Sequence, residues 1–326
     1  MRRVARFIAI FSALFLLTIA PARAQVCTAS ISSINFGSIA PATTSSASVS
    51  GSVTVTCSGF LLNLPVRACI NIGTGSGGAS FSPRIASNGT DTLQYNLYAD
   101  SAGSTVWGSR RSASFGAVAV DIPLTIALGT ASGSRTLPFY ARVPAGQTTL
   151  VAGVYTSAFS GATQAEMTYQ QYLLTAPSCS TLTANSNALS FTVSATVIND
   201  CTLAATNINF GSAGVLNGTL NATGTLSVAC TSNDPYSIAL SAGSGSGASV
   251  ADRRMTKSGG SEQVRYQLYQ NAAYTTPWGD GTGGTAAVTG TGSGANQAIT
   301  VYARVLPQTT PSAGNYTDTI VATITY

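Results

Sequence analysis

Six cysteines and ten carboxylates are the side chains through which this 326-residue chain could do chemistry, and histidine is absent. Cys27, Cys57, Cys69, Cys179, Cys201 and Cys230 have three possible uses: nucleophile, metal ligand or disulfide partner. Without histidine, neither a Ser-His-Asp nor a Cys-His arrangement can form. No Cys-x-x-Cys occurs, and no histidine completes a zinc set. The carboxylates are few and scattered, whereas a glycosidase needs two that converge in one cleft. Asp91 and Asp100 are the nearest such pair. They stand in Gly89-Thr90-Asp91 and Ala99-Asp100-Ser101, which read as turns where Asp bonds its own backbone, as do Asp234 and Asp252. The glycine-rich run 73–80 has the composition of a phosphate loop, but no Lys-Ser/Thr follows it and no strand-to-helix pattern surrounds it. The chain is therefore not expected to be an enzyme, and oxidation of thiols to disulfides is the chemistry left to it.

That oxidation needs an exporting chain, and the first residues supply the signal. Arg2, Arg3 and Arg6 precede an apolar run from Phe7 to Ala20, and Ala22-Arg23-Ala24 fits a small-x-small cleavage site. The run is about 14 residues, shorter than the roughly 20 a spanning helix needs. Loss of residues 1–24 removes four of the 15 basic residues and lowers the formal charge from +5 to +1. No basic patch remains to attract nucleic acid. An even cysteine count behind an export signal implies disulfides.

The elements that must position these cysteines come in two copies. Ile34-Asn35-Phe36-Gly37 returns as Ile208-Asn209-Phe210-Gly211, and Tyr95-Asn96-Leu97-Tyr98 as Tyr266-Gln267-Leu268-Tyr269. Trp107-Gly108 matches Trp278-Gly279, and Tyr140-Ala141-Arg142-Val143 matches Tyr302-Ala303-Arg304-Val305. Gly153-Val154-Tyr155-Thr156 matches Gly314-Asn315-Tyr316-Thr317. The offset falls from 174 at the cysteines to 161 at the last match, so loop insertions separate the copies. Within each copy the pattern has period two: Val49, Gly51, Val53, Val55 and Cys57 share one face, with Ser and Thr opposite. Short alternating strands between Gly- and Ser-rich turns predict an all-β chain of two antiparallel sandwiches. Cys27 and Cys57 stand where Cys201 and Cys230 stand, so each pair should close a loop of about 30 residues, worth roughly 3–4 kcal/mol. Cys69 and Cys179 have no counterparts and are left to each other. The repeated Trp and Tyr positions should be core. Arg142 and Arg304 should lay their stems along Tyr140 and Tyr302.

The Cys…Asn-Phe-Gly…Cys opening, the Tyr-x-Leu-Tyr and Tyr-Ala-Arg-Val strands, the Trp-Gly turn and the closing Gly-Asn-Tyr-Thr-Asp-Thr-Ile-Val-Ala-Thr-Ile-Thr-Tyr together resemble the spore coat U domain family. That family includes subunits of archaic (Csu-type) chaperone–usher pili. The resemblance covers both copies and is stronger in the second. It implies immunoglobulin-like sandwiches short of their last strand, which a neighbour's N-terminal extension fills by strand addition. It also implies no cofactor, and three partners: a periplasmic pilus chaperone, an outer-membrane usher and an adjacent pilin. Export through the periplasm to a pilus tip at the cell surface goes with it.

On that basis the chain is divided into a signal peptide (1–24), an N-terminal domain (25–187), a donor-like connecting strand (188–200) and a C-terminal pilin domain (201–326). Cys27 is the third residue after cleavage, so no N-terminal extension is expected. Leu189, Phe191, Val193, Ala195 and Val197 alternate just before Cys201 and should instead complete the first domain in cis. The second domain is expected to end at Tyr326 without its last strand. Between Cys57 and Gly73 the first copy has an apolar insertion with Phe60, Leu61, Leu62 and Leu64, where the second has Thr231-Ser232-Asn233-Asp234-Pro235. In such a sandwich this is the B–C loop. It should lie beside an F–G loop over Gln170–Asn187, which carries Leu173 and Leu174. The expected function is that of a two-domain tip adhesin holding a hydrophobic abiotic or host surface, as in biofilms. Two alternatives are a coat or outer-surface protein without pilus assembly, and a secreted carbohydrate-binding sandwich.

Overall fold

The computed structural model describes residues 25–43 and 46–326, and the signal segment 1–24 lies outside them. Among the described residues there is no helix, only strands and turns. The first sandwich comprises β1 (Val26–Ile31), β2 (Ile34–Ile39), β3 (Ala47–Phe60), β4 (Val66–Ile72), β5 (Arg84–Asn88), β6 (Asp91–Tyr98), β7 (Val118–Ile122), β8 (Thr125–Ala127), β9 (Thr130–Val143), β10 (Gly153–Ser160), β11 (Ala165–Gln171), β12 (Asn187–Ala188) and β13 (Ser190–Val197). One layer runs β1-β3-β9-β6-β5-β10-β13-β2, with β8 attached to β9, and the other runs β12-β11-β4-β7. The second sandwich comprises β14 (Cys201–Ala205), β15 (Leu220–Cys230), β16 (Pro235–Leu240), β17 (Arg253–Lys257), β18 (Gln263–Tyr269), β19 (Val288–Thr291), β20 (Gln297–Val305), β21 (Tyr316–Thr317) and β22 (Ala322–Thr325). Its layers are β14-β15-β20-β18-β17-β21 and β19-β16-β22.

The period-two pattern becomes burial directly. Val53, Val55 and Cys57 of β3 turn into the core while Ser52 and Thr56 face water. Each sandwich has its own core, one around Trp107 and the other around Trp278. Each indole N–H donates to the same place, Trp107 Nε1 to Ile70 O and Trp278 Nε1 to Ile238 O, both at 2.9 Å. The repeated Asn-Phe-Gly has a local cause. Asn35 Oδ1 accepts the N–H of Gly37 at 2.8 Å, and Asn209 Oδ1 that of Gly211 at 2.8 Å. Both glycines take a left-handed φ, +71° and +75°, which a side chain would resist.

Disulfides join Cys27 to Cys57, Cys69 to Cys179 and Cys201 to Cys230. The first and third link directly paired residues at the starts of β1 and β14 and the ends of β3 and β15.

Two arginines absent from the expectations above hold each core. Arg84 and Arg253 occupy matched positions and are fully buried with no carboxylate partner. Arg84 donates to Gly73 O (2.8 Å), Phe81 O (3.2 Å), Ile72 O (3.4 Å) and Trp107 O. Arg253 donates to Ser241 O, Val250 O, Leu240 O and the Gln267 amide oxygen. A guanidinium can satisfy several inward-facing carbonyls at once, which is why these loops end in the core. Burial pulls the Arg84 pKa down to about 10, so it stays charged at neutral pH. Arg142 and Arg304 do not follow Tyr140 and Tyr302. Arg142 lies over Tyr98 (5.7 Å), diagonal to it on the neighbouring strand β6, and Arg304 lies over Tyr274 (3.4 Å), in the turn after β18.

Arg84→Ala should destabilise the first sandwich by about 3 kcal/mol or more, since several buried carbonyls each lose a partner at roughly 1–3 kcal/mol. Arg142→Ala, on the exposed face, should cost less than about 1 kcal/mol. Urea titration of the full chain with each substitution measures both. Equal losses would show that the buried carbonyl contacts carry no special weight.

Candidate functional site

Three regions set the two sandwiches apart from ordinary closed ones: a filled edge in the first, an open groove in the second, and an apolar pole.

The filled edge is β13. It pairs antiparallel with β10 over eight positions, from Gly153↔Val197 to Ser160↔Ser190. On its other side it pairs parallel with β2, from Val193↔Ile34 to Val197↔Ile39. Leu189, Phe191, Val193, Ala195 and Val197 are all buried in the first core. Phe191 stacks on Phe159 with centroids 4.4 Å apart and meets the edge of Phe139 at 6.4 Å. The segment lies between two strands rather than at the end of a hairpin, so its backbone is satisfied from both sides.

The matching place in the second sandwich is a groove of about 520 Å³. Ile208, Phe210, Met255, Leu268, Tyr316 and Ile320 line it. The stretch matching β2, residues 208–213, forms no strand, and β21 shrinks to two residues paired only with β17. Ile34 and Phe36 are buried in the first copy, but their counterparts Ile208 and Phe210 are only half-buried. Tyr266 Oη donates to Asp318 Oδ2 (2.7 Å) on the groove wall, and burial together with that bond pushes its pKa up.

The apolar pole is at the far end of the first sandwich. Leu61 and Leu62 are 71% and 56% exposed, and Leu173 and Leu174 are 70% and 91% exposed. Leu64 is half-buried. Phe60 does not join them: a register irregularity after Cys57, with Gly59 at φ +80°, turns it inward, where it is 3% exposed. The F–G loop is tighter than expected, because β11 runs to Gln171 and β12 begins at Asn187. A third apolar projection was not expected. The β8–β9 hairpin carries Ile126, 55% exposed, and at its tip the fully exposed Leu128. Leu128 takes φ +52°, a conformation a bulky residue adopts only when the tight turn into Gly129 requires it. Ile126 and Phe60 both pair with Ala131, so the hairpin stands beside the B–C loop. The second copy has no strand matching β8, and the Leu128-Gly129 pair between apolar residues was the signal available in the sequence.

Polar contacts fix these loops from beneath. Arg67 grips Asp121 with two bonds of 2.7 and 2.8 Å and donates to Pro177 O at 3.3 Å. Tyr172 Oη donates to the same carboxylate at 3.1 Å. The Arg67 guanidinium holds the Asp121 carboxyl below its ordinary range. Gln171 Nε2 donates to Leu62 O and Leu64 O at 2.9 and 3.0 Å, which ties the B–C loop to the end of β11. Cys69–Cys179 closes the base. Further in, the buried Glu166 accepts from Arg110, Arg111 and Ser186. Burial pushes its pKa up, but the serine bond and the two arginines outweigh that and hold it low. Asp100 accepts the N–H groups of Ser104 and Thr105, which is turn chemistry and lowers its pKa. Among the described residues no cluster of three or more His, Cys, Asp or Glu could hold a metal ion.

A family model described as Spore Coat Protein U domain matches residues 13–161 and again 187–323. No curated protein matches the chain. Among solved structures, the chain is similar to one described as the chaperone–tip adhesion subunit pre-assembly complex of the archaic chaperone–usher Csu pili of Acinetobacter baumannii. Identity is 18%, with 92% of this chain and 100% of that chain covered and a TM-score of 0.52. Looser matches are the CupB6 tip adhesin of Pseudomonas aeruginosa (13% identity, 91% and 93% covered, TM-score 0.35) and CfaE, the adhesive subunit of CFA/I fimbria of enterotoxigenic Escherichia coli (12%, 90% and 92%, TM-score 0.32). The first of the three establishes a shared two-domain all-β fold.

Placing carboxylates at the centre of β13 tests whether the first sandwich depends on it. Phe191→Asp with Val193→Asp should unfold that sandwich at 25 °C, since each buried large side chain contributes about 1.5–3 kcal/mol and each new charge is buried unpaired. Loss of its near-ultraviolet circular dichroism would report this. A parental melting curve would mean the strand is dispensable.

Proposed function

The chain belongs to the Spore Coat Protein U domain family, and from that premise we propose that it is the tip adhesin of a chaperone–usher pilus. The observation that carries the reading is the contrast between the two sandwiches. The first holds an internal strand between β10 and β2, and the second keeps an apolar groove in the same place. A sandwich completed from within has no need of a donor strand. A sandwich with an open edge exposes apolar surface and unpaired backbone groups until another chain supplies a strand. On this reading a periplasmic chaperone occupies the groove first. The extension of an adjacent pilin then replaces it at the outer-membrane usher, and the first domain is carried outward to the cell surface.

The outermost point is then the pole with Leu61, Leu62, Ile126, Leu128, Leu173 and Leu174. Their exposure on loops tied by Cys69–Cys179 and by Arg67–Asp121–Tyr172 favours adhesion to hydrophobic surfaces. Loops already fixed lose little entropy on contact, so a small apolar area holds more than it would on mobile loops. Aliphatic side chains at this pole favour that reading over a carbohydrate-binding one, which calls for polar groups or aromatic platforms.

Two measurements test this reading. Leu61→Ser with Leu62→Ser and Leu128→Ser should leave export and melting unchanged while adhesion to polystyrene falls at least tenfold; Phe60 is left intact because it is core. Adhesion at the parental level would place the tip elsewhere. For the groove, a synthetic peptide copying residues 188–198, whose alternating apolar residues already fill the equivalent place, should raise the melting temperature of the second sandwich in the full chain. An unchanged melting temperature would count against strand donation.

A further inference from the structure

The junction between the two sandwiches shows how one domain of this chain seats the next. Three residues, Ile198 to Asp200, separate β13 from Cys201 of the third disulfide. The leading turn of the second sandwich clamps them: Asp200 N–H donates to Thr231 Oγ1 (3.0 Å), which donates in turn to Ile198 O (3.2 Å). Val151 at the trailing pole of the first sandwich then forms a parallel β-bridge with Ser232 in that turn. Thr43 Oγ1 donates to Asp200 Oδ2 at 2.8 Å. Gly294 comes so close that a Cβ there would lie 2.1 Å from Thr148 O, so only glycine fits.

The loop carrying Val151 is held in place by Tyr155, whose Oη donates to Val151 O at 2.8 Å. The second sandwich repeats this device at its own trailing pole. Tyr316 Oη donates to Ser312 O at 2.7 Å. Gly153 lies against Asn88, with no room for a Cβ, and its counterpart Gly314 lies against the Lys257 side chain. The loop is fixed more firmly here, because Ser312 N–H also donates to Glu262 Oε1 (3.1 Å) and Lys257 pairs with Glu262 at 3.2 Å. Leu216 N–H donates to Thr310 Oγ1 (2.8 Å), which draws the 211–219 loop alongside. Val215 and Leu306 stand exposed on this face.

We infer that this trailing pole (Ser312 with Val215 and Leu306) is a docking face for the leading turn of the next subunit, in the register of Val151 on Ser232. The inference rests on the fibre reading above and names what else the following subunit must bring. Its leading turn needs a Ser or Thr just after the second cysteine and a glycine in the place of Gly294. A second copy of this chain has Ser58 after Cys57 but meets the need no further. Its own leading pole has Gly59-Phe60-Leu61-Leu62 in place of the polar turn, and the β8–β9 hairpin projects where Gly294 makes its close approach. The partner is thus a pilin with a polar leading turn, and one copy of this chain serves each fibre.

The test uses the full chain continued by a second copy of its own residues 180–326, of which 180–187 turn the chain and the remainder supplies both a donor strand and a polar leading turn. Bridge partners lie within the roughly 4.4–6.8 Å between Cα atoms that a disulfide spans. Val151→Cys with Ser232→Cys should close a disulfide in the unextended chain and serves as the reference. Ser312→Cys in the parent part with Ser232→Cys in the added part should close as completely, with loss of both free thiols mapped by mass spectrometry. Closure in the reference alone, with amides of 317–321 protected from exchange by a filled groove, would overturn the docking register while leaving strand donation standing. Open thiols with those amides unprotected would overturn strand donation and this inference together.

Discussion

An interior strand of an immunoglobulin-type layer has a neighbour on each side, and β10 meets one of its neighbours, β5, at one register position only, Thr156↔Ser87. Its other side pairs at eight positions with β13. Without β13 the rings of Phe139 and Phe159 would face water, together with a row of unpaired backbone groups. The architecture of the molecule follows from where that strand comes from. In the first sandwich it arrives as the segment leading into the next domain, so completing one domain and connecting to the next are a single act of the chain. In the second, the groove between β21 and residues 206–211 has no such segment among the described residues.

The two poles of the first sandwich have been built for opposite purposes. The trailing pole is polar and glycine-tight, and it presses on the second sandwich through Val151, Thr148 and Thr43. The leading pole has gained an insertion, a hairpin and a third disulfide, and it exposes leucines that an ordinary core would have absorbed. Exposed apolar loops are normally a liability because they move and aggregate. Here Arg67, Asp121, Tyr172 and Gln171 hold their backbones from below, so apolar side chains stand on a rigid polar base. The buried Glu166 with Arg110 and Arg111 extends that base toward Ser186, just ahead of the strand that completes the fold.

The fold was largely legible because it is written twice. Matched cysteines, Asn-Phe-Gly, Trp-Gly and Tyr-Ala-Arg-Val fixed the duplication, and period-two alternation fixed strands and their inward faces. The alternation of Leu189 to Val197 was equally plain, because a strand buried on one face must alternate wherever it pairs. Legibility failed where side chains act across the sequence. Arg84 and Arg253 raised no expectation, since their partners come from segments far apart in the chain. Arg142 and Arg304 were matched to the tyrosines two residues back rather than to rings on neighbouring segments. Phe60 looked like a tip residue until the irregularity at Ser58–Gly59 reversed its facing.

By itself, then, the sequence determined the duplicated all-β architecture, the inward faces of the strands and the disulfide partners, because these depend on local periodicity and on positions that repeat. Only the tertiary structure decided which apolar residues are exposed, that the β8–β9 hairpin stands beside the B–C loop, and that the pinned loop of Val151 has a twin at Ser312. Those features depend on which loops a folded sandwich gathers at one pole, and loop residues far apart in the chain carry no shared period that would announce their meeting.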